Sequence, residues 1–338
     1  MLPHNRSKKL WSIGGGKGGV GKSVFTLGLG ISLANLGKRV ILVDGDLGGA
    51  NLHTLMGLRY PPHTLEDFLL KKVDRLEDII IYTQVEGIGL ICGADDILGA
   101  ANPTYAQKLR ILNQIEDLPA DFVLLDLGAG TSYNILDFFN YSSGKICLLT
   151  SQATSLQNVY GFIKSALYRQ ISREFAKDHH LINLLLEMEE DSLGKVDSLN
   201  DLIHQETDPE RLGRLVQLLT DFRIFLVVNM VKSDRDLQAA LIIEKVCSAY
   251  LSLQPQVLGH LSFDPAIEQA VDRMVPFPRS QKKKTQGAVD LQHIARLILE
   301  KFPPQAQDLD TREKPGTKEN GKSSWSRLWN WGPREVRL

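Results

Sequence analysis

Eight consecutive residues, Gly16-Lys17-Gly18-Gly19-Val20-Gly21-Lys22-Ser23, concentrate the chemistry of this chain. They fit the pattern G-x-x-x-x-G-K-[ST] at every fixed position. Glycines let a backbone curl until successive N–H groups converge on phosphate oxygens. A lysine in the position of Lys22 neutralises the terminal phosphates, and a hydroxyl in the position of Ser23 can hold Mg²⁺. Such a loop works only when a strand and a helix fix its ends. Leu10-Trp11-Ser12-Ile13 reads as the strand, and Val24 to Leu36 reads as the helix, with Gly37 as its stop. The helix N-terminus adds a positive partial charge toward a bound anion.

Carboxylates follow at the ends of two further apolar runs. Arg39-Val-Ile-Leu-Val-Asp44 reads as a buried strand of the parallel-sheet type, and it opens into Asp44-Gly45-Asp46. Carboxylates at the carboxyl end of a strand lie where open α/β sheets bind ligands. Asp121-Phe-Val-Leu-Leu-Asp126 is a second such strand, with Asp126 placed to meet Mg²⁺ through water. Lys145 to Thr150, Arg223 to Val231 and Val257 to Phe263 complete the strand-like runs of this kind. Residues 79–83 and 88–92 read as two strands around a turn. Residues 63–78 read as one helix with Thr64 as N-cap, 103–118 as an amphipathic helix, and 154–177 as a long helix capped by Thr154 or Ser155. The expected fold is α/β: one doubly wound, mostly parallel sheet flanked by helices.

With Lys17 inside the loop, the string Lys-Gly-Gly-Val-Gly-Lys-Ser resembles the deviant Walker A ATPases of the MinD/ParA group. The resemblance spans about residues 8 to 300. It extends to Asp44-Gly-Asp46-Leu-Gly-Gly-Ala-Asn51 and to Asp126-Leu-Gly-Ala-Gly130, which look most like the MinD-like regulators of flagellar number. It implies ATP and Mg²⁺ as ligands and an ATP-state homodimer, with Lys17 reaching the phosphates across the dimer interface. It implies that Asp46 serves the attacking water, that Asp44, Ser23 and Asp126 support the metal, and that Asn51 belongs to the first switch segment. Asn229 would touch the adenine, and Asp264 would line the base side, although Asp264-Pro265 also reads as a helix start. Residues 16–24 would cradle the phosphates: Gly16, Lys17, Gly18, Gly19, Val20, Gly21, Lys22, Ser23 and Val24. In the family's Thr-x-Pro-[Glu/Asp] segment, Gln152-Ala153 stands here in place of the Pro and the acid, and Leu127-Gly128 precedes the Ala-Gly of the second switch.

The rest of the chain sets limits. There are 338 residues and a formal net charge of −1, so no global basic field points to nucleic acid. A DNA-partitioning role of the ParA kind is the alternative that would need a local basic patch. Cys92, Cys147 and Cys247 form no C-x-x-C, which disfavours an iron–sulfur carrier role and suits a cytoplasmic protein. The first residues lead straight into a strand without the pattern of a signal peptide. Residues 1–302 read as the ATPase domain, with 178–221 as a helical insertion whose periodicity suits packing. Lys282-Lys283-Lys284 reads as a solvated patch. Residues 303–338 have the composition of a flexible tail. Trp325, Leu328 and Trp329 share one helical face there, so residues 322–338 suit a peripheral contact with the cytoplasmic face of the inner membrane. A protein activator of hydrolysis is a further expected partner.

Overall fold

A computed structural model of the chain describes residues 9–46, 49–93, 103–189, 198–277 and 285–303. The Trp-containing segment 322–338 and the basic run Lys282–Lys284 lie outside the described residues. Eight strands form one sheet among the described residues. They are β1 (Leu10–Gly14), β2 (Val40–Asp44), β3 (Ile81–Tyr82), β4 (Ile88–Ile91), β5 (Phe122–Asp126), β6 (Gly144–Leu149), β7 (Phe225–Val231) and β8 (Gln256–Ser262). Their order is β3-β4-β2-β5-β1-β6-β7-β8. Every neighbouring pair is parallel except β3–β4, an antiparallel pair at one edge.

The helices are α1 (Lys22–Ala34), α2 (Leu52–Leu55), α3 (Leu65–Leu69), α4 (Tyr105–Asp117), α5 (Tyr133–Tyr141), α6 (Ala153–Glu174), α7 (His179–Glu189), α8 (Leu199–Gln205), α9 (Pro209–Asp221), α10 (Gln238–Leu251), α11 (Pro265–Asp272) and α12 (Gln286–Lys301). β1, β2, β4, β5 and β6 are buried on both faces, which is why they read as unbroken apolar runs. Successive side chains go to opposite cores. In β5, Phe122 and Leu124 join the core under α1 and α12, whereas Val123 and Leu125 join the core under α4, α5, α6 and α10. All parallel strands thus end on the same side, and β1 delivers its loop to the middle of that edge.

Three local expectations need correction or detail. The stretch 63–78 is not one helix. Thr64 opens α3 in a capping box with Asp67, but the chain turns at Lys71 (φ 59°), and residues Leu76–Ile79 form a separate 3₁₀ turn. The amides of Lys72 and Val73 bond back to the carbonyl of Asp67, so the helix closes without glycine or proline. At α6 the N-cap is Gln152, because the Ser155 hydroxyl is used to accept the Thr150 N–H at 3.0 Å. In residues 178–221, Leu181, Leu185, Leu199, Leu202 and Leu215 are buried in the same core as α6 and α10. Arg211 ties this region together through Asp178 at 2.6 Å and Glu206 at 3.1 Å.

Candidate functional site

The glycine loop leaves β1 under tight constraint from its neighbours. A Cβ placed on Gly16 would stand 2.0 Å from the carbonyl oxygen of Asn158 on α6, so only glycine fits there. Gly21 is the N-cap of α1 in a left-handed conformation (φ 88°), and a Cβ there would stand 2.5 Å from the Asn229 amide nitrogen. Asn229 is itself a brace of the loop. Its side-chain N–H donates to the Val20 carbonyl at 2.7 Å, and its Oδ1 accepts the Met230 N–H at 2.9 Å.

The two lysines of the loop are in opposite situations. Lys22 is buried, and its ammonium donates to the carbonyl of Lys17 at 3.3 Å. Burial pulls its pKa down, against the charges of Asp126 and Asp46, which push it up. The Lys17 side chain is exposed, and its ammonium makes no hydrogen bond or ion pair among the described residues.

Asp44 and Asp126 sit side by side, because β2 and β5 pair in register at their last residues. Asp126 is 2 % exposed. Its Oδ1 accepts the Thr26 hydroxyl at 3.2 Å, and the Ser23 hydroxyl also bonds to it. Burial raises its pKa to about 6, with Asp46 adding to the rise and Ser23, Lys22 and Thr26 opposing it. Asp44 is fully buried, and its pKa is raised to about 7 by burial and by Asp126. Three backbone N–H groups donate to its carboxylate, from Asp46 at 3.2 Å, Asn51 at 2.9 Å and Leu52 at 3.0 Å. Asp44 therefore shapes the segment that carries Asp46 and Asn51. Asp46 lies against the next wall: a Cβ on Gly128 would stand 3.0 Å from its carboxyl carbon.

Two connected clefts open over this arrangement. One of about 430 Å³ is lined by Gly18, Gly19, Lys22 and Ser23 on one side and by Asp46 and Asn51 on the other. The second, of about 580 Å³, runs between Asn229, Phe263, Asp264 and Ile267, and shares Gly19, Gly21 and Val24 with the first. Asp264 reaches this cleft but is committed to its neighbours. Its carboxylate caps α11 through Ala266 N–H and holds Gly287 N–H, both at 2.9 Å. Burial works against its ionisation, yet the Thr285 hydroxyl and these amides keep its pKa below the usual value. Of the other residues expected here, Gly16 abuts α6, Val20 turns into the core, and Asp126 stands behind Ser23. Leu127 and Ala129 of the expected second switch line the first cleft, whereas sequence reasoning did not single out Thr26, which supports it through Asp126. Thr26 had a signal: it is one helical turn beyond Ser23 on the same face of α1.

The donor set suits a magnesium–polyphosphate ligand. The hydroxyl of Ser23 and the carboxylate of Asp126 are hard oxygens already in contact, and Mg²⁺ commonly takes one or two protein oxygens plus phosphate oxygens. Among the described residues no group of three or more His, Cys, Asp or Glu side chains could hold a metal by itself. No helix among them is long and apolar enough to cross a membrane.

Comparisons with known proteins agree with this geometry. The family model for the CobQ/CobB/MinD/ParA nucleotide-binding domain matches residues 11–277. The antiactivator FleN of Pseudomonas aeruginosa is 29% identical over 155 residues, covering 45% of this chain and 54% of that protein. The flagellum site-determining protein YlxH of Helicobacter pylori is 31% identical over 163 residues, covering 46% and 53%. The chain thus spans about half the length of the curated relatives it matches. The solved structure of the cell-division ATPase MinD from Pyrococcus furiosus superposes with a TM-score of 0.56 over 87% of this chain and 99% of that one, at 22% identity.

Proposed function

The chain belongs to the CobQ/CobB/MinD/ParA nucleotide-binding family, and on that premise we propose that it is an ATP-hydrolysing dimerisation switch of the MinD type. Its output is the placement or number of a cellular structure, flagella or the division site, at the cytoplasmic face of the inner membrane. The observation that carries this reading is the ring of groups around the first cleft: Lys22, Ser23 and, behind it, Asp126 on one wall, Asp46 on the other, and Lys17 exposed at the rim. The name of the Helicobacter pylori relative, a flagellum site-determining protein, favours flagella as the process.

Each group has a task that follows from its position. Loop N–H groups and the N-terminus of α1 bind the phosphates. Lys22 exchanges the Lys17 carbonyl for phosphate oxygens, a better partner for a buried cation. Ser23 and Asp126 would hold Mg²⁺, which supplies neutralisation of the phosphate charge. Asp46 orients the water that attacks the γ-phosphorus as the bond to the β–γ bridging oxygen breaks, releasing ADP and phosphate. Asn229 braces the loop and faces the base cleft with Asp264. Lys17 acts on the partner copy's phosphates, so full charge neutralisation needs two copies. Residues 322–338 supply the membrane contact, one segment per copy, and dimerisation strengthens attachment by avidity.

The test is size-exclusion chromatography of the Asp46→Ala protein with ATP and with ADP, each with and without anionic liposomes. We expect a dimer with ATP only, and co-elution with liposomes only in that state. Adding Lys17→Ala should abolish the dimer while nucleotide still binds. An ATP dimer that ignores liposomes but binds DNA in low salt would move the target to the chromosome. An Asp46→Ala protein that turns over ATP normally would remove Asp46 from the mechanism.

A further inference from the structure

Asp137 on α5 holds more cations than it can neutralise. Its carboxylate is buried, and it pairs with Lys108 of α4 and with Arg169 and Arg173 of α6, the two arginines at 3.0 and 2.9 Å. Burial opposes its ionisation, yet hydrogen bonds from Arg169 and Lys108 and the charge of Arg173 keep its pKa below the usual value. One carboxylate thus faces three cations, and no other carboxylate pairs with any of them among the described residues. Tying the three helices together takes one cation from α4 and one from α6, so Arg173 exceeds that need. Arg169 spends Nε and Nη2 on Asp137, and Arg173 spends Nη1. Their other guanidinium N–H groups donate to nothing among the described residues, and the two side chains are 27 % and 23 % exposed. Each guanidinium also lies over a tyrosine ring, Arg169 over Tyr133 at 4.3 Å and Arg173 over Tyr105 at 5.4 Å. Tyr133 is 69 % exposed and Tyr105 45 %. Tyr133 and Asp137 are one helical turn apart on α5, as are Arg169 and Arg173 on α6, which puts each pair on one face.

Arginine and tyrosine are residue types on which the binding energy of protein–protein interfaces concentrates. We propose that this face of α4, α5 and α6 is a docking surface for an acidic protein segment, whose Glu or Asp carboxylates take the unspent N–H groups of Arg169 and Arg173 and whose apolar side chains lie on Tyr105 and Tyr133. The cluster itself displays the mode of recognition: Arg169 already holds the Asp137 carboxylate through two nitrogens, the planar fork that suits such a group. Stacking on tyrosine keeps each guanidinium in place before a partner arrives, so less side-chain freedom is lost on docking. Nucleic acid binds by neutralising many phosphates along a track, and two surplus charges at one spot make no such track. Recognition of anionic lipid by charge takes clusters of about four to eight Lys or Arg. None of the six residues lines the phosphate or the base cleft, so docking on this surface requires no nucleotide.

The test uses the full chain with fluorescein-labelled poly-Glu/Tyr as the acidic probe and fluorescence anisotropy as the readout. A single-stranded oligonucleotide and vesicles rich in anionic lipid are run beside it. We expect wild type to bind the probe and Arg169→Gln/Arg173→Gln to bind it at least about tenfold more weakly. Tyr105→Ala/Tyr133→Ala leaves the ion cluster intact and should weaken binding by about three- to tenfold. Arg59→Gln/Arg273→Gln removes the same charge from other exposed positions and should bind within about twofold of wild type. Cooperative melts report folding, and if the Arg169/Arg173 variant does not fold, the tyrosine variant decides the matter. The inference is overturned if wild type does not bind the probe, if the folded Arg169/Arg173 variant or the tyrosine variant binds like wild type, or if the Arg59/Arg273 variant loses as much. Tighter binding of the oligonucleotide or the vesicles through the same arginines would give the face to nucleic acid or membrane and overturn it as well.

Discussion

β5 has an aspartate at each end, and the two are treated in opposite ways. Asp121, just before the strand, receives a bidentate guanidinium from Arg39 at 2.6 and 3.0 Å, as well as the Arg39 N–H at 2.8 Å. Burial opposes its ionisation, but these bonds and the charge of Arg39 hold its pKa below the usual value. Asp126, five residues on, is buried more deeply without a matching cation in contact, and its pKa is pushed up to about 6. The difference extends to the two edges of the sheet. At the amino edge opposite charges answer each other, Arg39 with Asp121. At the carboxyl edge Lys22, Asp44 and Asp126 are held close together with their charges incompletely answered. Paired charges stabilise a fold, whereas groups kept in a perturbed state have free energy to release to a ligand.

Breaking the active end should have the largest effect. Asp126→Asn should lower magnesium-dependent ATP turnover by about 10²- to 10³-fold, the scale of losing one group that stabilises transition-state charge. The same change should raise the stability of the nucleotide-free protein by about 1–3 kcal/mol at pH 8, since a buried carboxylate with a raised pKa costs stability once ionised. Steady-state kinetics and denaturant melts read the two effects, and a less stable variant would undo the contrast drawn here.

Breaking the structural end should do the reverse. Asp121→Asn is expected to cost about 1–3 kcal/mol, because Arg39 loses a charged partner in a half-buried site. ATP turnover at a temperature where the variant remains folded should stay within about twofold of wild type. A large kinetic defect would show that the two ends of β5 are coupled.

The smallest effect sharpens the comparison through pH. Asp126 has a folded pKa of about 6 against a reference of 3.8, so its contribution is fully present below pH 3.8 and is lost as pH rises through about 6. Asp44 acts likewise, with loss through about 7. Asp121 has the opposite sign: its contribution is present above the reference value and is lost as pH falls through its lowered pKa. The stability gain of Asp126→Asn over wild type should therefore grow from pH 4 to pH 7 and level off above it. A gain independent of pH would mean that charge burial is not its cause.

Much of this arrangement was legible in the sequence because its signals are local. An apolar run ending in Asp44 or Asp126 specifies both a buried strand and the edge to which it delivers a carboxylate. The glycine loop announces its own backbone geometry, and the order of these segments specifies the doubly wound sheet. The Arg39–Asp121 pair and the brace from Asn229 to Val20 join residues far apart in the chain, so no spacing rule marks them. The break after α3 was hidden for another reason. Lys71-Lys72-Val73 contains no glycine or proline, and helical periodicity continues across a turn that only Lys71's left-handed backbone reveals. The commitment of Asp44 to three amides was also beyond reach, because a buried carboxylate reads the same whether it faces a metal or a loop.

The contact at Gly16 has a mechanical consequence. With no clearance between the phosphate loop and the Asn158 carbonyl, the loop cannot shift toward α6 without pushing it. α6 is a rod of 22 residues, about 33 Å long at 1.5 Å per residue. Its far end is fastened to α9, where Arg214 donates to the Glu174 carbonyl at 3.1 Å and stacks on Phe175. A push at the loop is thus delivered as strain to the opposite end of a stiff lever, and the helices 178–221 sit where that lever ends.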